Sequence, residues 1–165
     1  TKVYSQDTTE DVKLEDEAGN VTTINVKVQI KRISDVLTSN TLKISETDLN
    51  IKKVYPKTTV LNFKKSINSE MEYTILNKSG TELSDSSYIG TGCQVKMKND
   101  KVYTVIVWGD LTGNGKISLT ELARISKIFA EQSTSTDLEK SAIDINMNGK
   151  LDLVELAAIA RLQLK

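Results

Sequence analysis

Two twelve-residue segments carry oxygen donors in the same order. The first runs Asp110-Leu111-Thr112-Gly113-Asn114-Gly115-Lys116-Ile117-Ser118-Leu119-Thr120-Glu121, and the second runs Asp144-Ile145-Asn146-Met147-Asn148-Gly149-Lys150-Leu151-Asp152-Leu153-Val154-Glu155. They start 34 residues apart, and the match continues beyond them: Leu122 with Leu156, Ala123 with Ala157, Ile125 with Ile159, Lys127 with Arg161. A calcium ion takes six to eight oxygens at about 2.3–2.6 Å, and a loop of this length offers them from positions 1, 3, 5, 7, 9 and 12. The candidate ligands are therefore Asp110, Thr112, Asn114, Lys116, Ser118 and Glu121 in the first loop. In the second they are Asp144, Asn146, Asn148, Lys150, Asp152 and Glu155. The lysines stand at position 7, which gives only its backbone carbonyl. Gly115 and Gly149 stand at position 6, where the chain must turn sharply. Ile117 and Leu151, at position 8, are expected to join the loops through short β contacts. A single such loop could be no more than a helix-capping turn, but capping does not require carboxylates at positions 1 and 12 twice over. A flexible, all-oxygen donor set without His or Cys suits calcium rather than magnesium, zinc or copper, so two calcium ions are expected.

Composition narrows the alternatives. The 165 residues include 22 Lys+Arg, 22 Asp+Glu and no histidine. Ser-His-Asp and Cys-His catalytic centres are thereby excluded within the chain, and no enzymatic activity is expected. A net charge of zero, evenly spread on both sides of residue 108, argues against nucleic-acid binding. Cys93 is the single cysteine, so no intrachain disulfide forms; its alternating neighbours Gln94-Val95-Lys96-Met97 place it as a buried strand residue. No apolar run approaches the ~18 residues of a membrane span, so membrane insertion is not expected. Thr1 opens a polar, acidic stretch with no signal-peptide core, and the absence of an initiator methionine points to a longer parent chain.

The elements that position the loops follow from the period of the apolar residues. Up to residue 108 that period is mostly two. Val12 and Leu14, then Ile24, Val26, Val28 and Ile30 (alternating with Lys31), flank an Ala18-Gly19-Asn20 turn. Leu42–Ile44, Leu49–Ile51, Met71–Ile75, Cys93–Met97 and Val102–Trp108 predict further strands, the last two joined as a hairpin at Asn99-Asp100. Thr58 and Thr59 after Pro56 predict a cap for one short helix through Val60, Leu61, Phe63 and Ile67. From residue 109 the spacing is helical, predicting helices over 118–131 and 152–165. A shorter one between them starts at Ser135 or Thr136. The fold class expected is α+β overall: a β-rich N-terminal module with one short helix, then an all-α, EF-hand-like module. The segments expected are 1–40, a β-hairpin region; 41–108, a β-rich domain; and 109–165, the domain with both calcium loops.

At the duplicated loops and their helices, residues 109–165 resemble a dockerin. The Trp108-Gly109-Asp110 lead-in directly from a strand fits, because dockerins lack a helix before their first loop. The resemblance implies two bound calcium ions and docking through the helices onto a cohesin, a β-sandwich module on a scaffold or surface protein. It implies the attachment end of a secreted or cell-surface bacterial protein, often one of a carbohydrate-active assembly such as a cellulosome, monomeric before docking. Tyr88-Ile89-Gly90-Thr91-Gly92 and the strand after it are similar to segments preceding dockerin-like modules in Gram-positive surface proteins, which makes 41–108 resemble a companion X-module. Thr112 departs from the usual Asn or Asp, and Glu121 and Glu155 stand where Asp is common. Family partner choice lies largely at loop positions 10 and 11, here Leu119-Thr120 and Leu153-Val154; Lys127 and Arg161 join them as candidate partner residues. Either these apolar residues meet an apolar partner surface, or they pack on the chain's own β-rich part. The second alternative describes a calcium-stabilised structural end domain without a cohesin partner. An intracellular sensor with a methionine-rich groove is disfavoured by the scarcity of methionine, Met97 and Met147 being the two near the helices.

Overall fold

The computed structural model describes residues 6–30 and 33–164. Thr1, Lys31 and Lys165, which the sequence reading touches at the chain start, a strand end and the last helix end, lie outside them. The chain divides into two compact units, Thr1–Ile33 and Ser34–Lys165.

The first unit is an antiparallel hairpin of β1 (Thr8–Glu15) and β2 (Val21–Val28), with Val12 opposite Ile24 and Glu10 opposite Val26. Asp16 closes the turn: its carboxylate accepts from the amides of Ala18 (3.0 Å) and Asn20 (2.8 Å). Period-two alternation gathers Val12, Leu14, Ile24 and Val26 on one face of the ribbon, and all four side chains are exposed.

The second unit holds β3 (Lys43–Ser45), β4 (Asn50–Val54), α1 (Val60–Ser66), β5 (Tyr73–Leu76), β6 (Gln94–Met97) and β7 (Val102–Val107). The helices α2 (Leu119–Phe129), α3 (Asp137–Ile143) and α4 (Leu153–Gln163) follow. Its sheet has the order β3-β4-β7-β6-β5; β4 and β7 are parallel and the other neighbours antiparallel. Thr59 caps α1, accepting from the Asn62 amide, and Val60 and Phe63 face inward. Among the described residues, no helix is long and apolar enough to cross a membrane.

Strand β7 overturns the expected all-α C-terminal module. Tyr103, Val105 and Val107 enter a core with Phe63, Ile51 and Val95, whereas Ile106 enters a second core with Ile125, Ile143 and Ile159. Alternate residues of one central strand thus face α1 on one side of the sheet and α2–α4 on the other. The Gly109 amide donates to the Ala142 carbonyl (2.8 Å), and that of Trp108 to Val54 (3.0 Å). The C-terminal helices are one layer of a strand-rich α+β unit. The physical reason is that the helical segment cannot complete its core without Ile106 and the sheet behind it.

Candidate metal site

Each loop ends in the cap of the helix it precedes. Ser118 Oγ accepts from the Glu121 amide (3.3 Å), and Glu121 Oε2 accepts from the Ser118 amide (2.6 Å). Asp152 Oδ1 accepts from the Val154 amide (2.9 Å), and Glu155 Oε2 accepts from the Asp152 amide (3.0 Å). Capping therefore uses one oxygen of each position-12 carboxylate. Both glutamates are 1 % exposed, so the disposition of the remaining oxygen matters.

In the first loop that oxygen is paired. Glu121 Oε1 accepts from the Thr112 hydroxyl at 2.9 Å. Asp110 is fully buried, and both its oxygens are shared among backbone amides. Oδ1 accepts from Gly113 (2.7 Å) and Asn114 (3.1 Å), and Oδ2 from Gly115 (2.9 Å) and Thr91 (2.8 Å). Burial pushes the Asp110 carboxyl above its ordinary range and the Glu121 charge adds to this, while the amide bonds oppose both. Asn114 Oδ1 accepts from the Lys116 amide (2.8 Å), and the Lys116 ammonium lies 5.0 Å from the Tyr88 ring centroid.

In the second loop it is not. Asp144 Oδ1 accepts from the Asn148 amide (3.0 Å) and Oδ2 from Gly149 (2.9 Å). Asn146 and Asn148 close turns on the amides of Asn148 (2.9 Å) and Lys150 (2.7 Å). Glu155 Oε1 is buried without a hydrogen-bond partner. Burial pushes the Glu155 carboxyl up; the Asp152 amide pulls it down. Asp144 then pushes it up again, through a bond that needs a shared proton and through charge, with Asp152 adding its own charge. Two facing acceptors are reconciled by a proton or by a cation.

The donor chemistry fits calcium: oxygens alone, twelve-residue spacing, a left-handed glycine at position 6 (φ 76° and 77°), and one orphaned buried carboxylate oxygen. Among the described residues no three Asp, Glu or Cys side chains converge as a ready-made cage. The amide, hydroxyl and carbonyl oxygens of Asn, Thr, Ser and the position-7 lysines would have to complete the set. The expected β pairing at position 8 is corrected. No bridge joins Ile117 to Leu151 among the described residues; both side chains pack into the helical core instead.

Residues 57–91 supply what the loop spacing did not indicate. Besides the Thr91 amide on Asp110, the Lys57 amide donates to the Gly115 carbonyl (2.7 Å) and Lys78 Nζ to the Thr112 carbonyl (2.9 Å). Gly90 sits so close to Gly113 that a Cβ there would collide with the Gly113 carbonyl. Backbone donors leave no mark in side-chain spacing. The close packing of Gly90 and Gly92 around Thr91 was the one visible sign. Cys93 is buried, and burial pushes its thiol up, away from reactivity.

The candidate partner residues are all exposed. Leu119 is 74 % accessible, Leu153 71 % and Val154 71 %, with Thr120, Lys127 and Arg161 exposed beside them. Leu119, Ala123 and Lys127 follow one another at four-residue steps along α2, as Leu153, Ala157 and Arg161 do along α4, and α2 packs against α4. No family model, curated protein or solved structure matches the chain.

Proposed function

We propose that this chain is a calcium-dependent, non-catalytic docking module resembling a dockerin, which attaches a secreted or surface protein to a cohesin-like β-sandwich partner. The observation that carries this reading is the repeated exposed stripe. The large apolar side chains of Leu119 and Leu153 stand in water at equivalent loop positions, with Val154 exposed beside Leu153, rather than packing on the sheet. Exposed leucine at both starts of a duplicated helix is a cost for a purely structural domain and an asset for a docking one. Glu155, with an oxygen that lacks any protein donor, supports a bound cation at the second loop.

The alternative of a calcium-stabilised structural end domain draws support from the burial of Asp110 against the Thr91 amide. Binding to immobilised cohesin-type modules from the encoding organism, with calcium and with chelator, separates the two. The docking reading expects retention in calcium, loss in chelator, and weakening of about tenfold or more in Leu119→Asp or Leu153→Asp. Calcium-independent retention, or retention untouched by both substitutions, would defeat it.

A further inference from the structure

We propose that the two loops depend on calcium unequally. The sheet holds the first in its ion-binding shape with or without an ion, and only the second needs the ion to close. Calcium then governs the α4 half of the repeated stripe and leaves the α2 half standing. This rests on the calcium reading above.

Three observations carry it. Every carboxylate oxygen of the first loop has a protein donor, and one of those donors, the Thr91 amide, comes from outside the loop. The Lys57 amide and the Lys78 ammonium hold two of its carbonyls as well. Apart from the backbone ladder of α4 itself, no hydrogen bond among the described residues reaches the second loop from outside Lys140–Glu155. Its Glu155 Oε1 is left without a donor. A Cβ on Gly149 would meet nothing within 4 Å, whereas one on Gly115 would strike the Ile89 carbonyl. The charges agree: Asp110 and Glu121 serve the first loop, while Asp144, Asp152 and Glu155 serve the second. An added carboxylate raises calcium affinity, and an unsatisfied buried acceptor adds to the drive for an ion.

The test is amide hydrogen exchange on the full chain, read by peptide mass spectrometry with calcium and with chelator. Calorimetric titration with calcium alone accompanies it. On chelation, peptides within 111–129 should keep their exchange rates to within about threefold, and those within 145–163 should accelerate by about tenfold or more. In the titration, Glu155→Gln should weaken the tighter site by about tenfold or more, and Glu121→Gln should leave that site unchanged. Equal acceleration in both segments, or a tighter site lost in Glu121→Gln and kept in Glu155→Gln, overturns the division while leaving calcium binding intact. Absence of any calcium binding by the wild-type chain overturns the calcium reading and the division together.

Discussion

The first and second loops share spacing, donor order and a capping box, yet they close in different company. Asp110 is fully buried and accepts a hydrogen bond from Thr91, a residue of the sheet-bearing part. Asp144 is half-buried and its carboxylate accepts only from amides of its own loop, and Asn146 to Lys150 are exposed. A duplicated motif thus acquires two different environments once one copy lies against a sheet and the other against water. The lesson is that spacing decides which oxygens can converge, whereas the surroundings decide how much of that convergence an ion must supply.

Removing the ion is the strongest way to break the comparison. At calcium about 100 times its dissociation constant, one site contributes about 2.7 kcal/mol, which for a unit of this size is a melting shift of roughly 10 °C. Chelation should produce a loss of that order, with helical circular dichroism falling first. Trp108, the single tryptophan, adjoins the first loop and meets Tyr55 edge to face at 5.0 Å. Its emission below the melting transition should not change on chelation. A tryptophan shift that tracks the helical loss would place both loops under the ion's control.

The two position-6 glycines give a smaller and sharper contrast. Alanine at either must adopt a left-handed φ near 76° or 77°, a strain of about 1 kcal/mol. At Gly115 its Cβ would also meet the Ile89 carbonyl, an overpacking cost of about 2 kcal/mol more. Measured without calcium by urea unfolding, Gly115→Ala should therefore lose about 2 kcal/mol beyond Gly149→Ala. Equal losses would mean that the sheet gives way and the first loop is not firmly seated.

Much of this is legible in the sequence. Thr59 and Thr136 cap helices where the sequence places caps, the two longer helices begin next to residues 118 and 152, and the strands lie where apolar residues alternate. The division at residue 108 misled, because a change of period marks a change of secondary structure and not an end of packing. The nearly unbroken run Val105-Ile106-Val107 carried the missing information, since a strand buried on both faces reads that way. The donors that seat the first loop were less visible. Thr91 and Lys57 act through amides, which every residue but proline possesses, so nothing in the sequence marks them beyond the glycines that flank Thr91.

The smallest effect is also the most specific, because the two position-12 glutamates should respond to the same substitution with opposite signs. Without calcium, Glu121→Gln exchanges a charged acceptor of the Thr112 hydroxyl and the Ser118 amide for a neutral group with one acceptor oxygen, a loss of about 1 kcal/mol. Glu155→Gln instead places a donor where Oε1 has none and removes a charge facing Asp144 and Asp152, a gain of about 1 kcal/mol. That gain depends on pH. Burial first, and then Asp144 and Asp152, raise the Glu155 carboxyl in the folded chain against the opposing pull of the Asp152 amide. A group raised in the fold stabilises it while protonated, fully below its unfolded value near 4.3, and loses that contribution as pH rises through the folded value. Ion-free wild type should therefore match Glu155→Gln near pH 4 and fall behind it by pH 7, in paired urea titrations across that range. A constant difference, or one of the same sign for both glutamates, would place an unrecorded donor on Glu155 and erase the distinction between the loops.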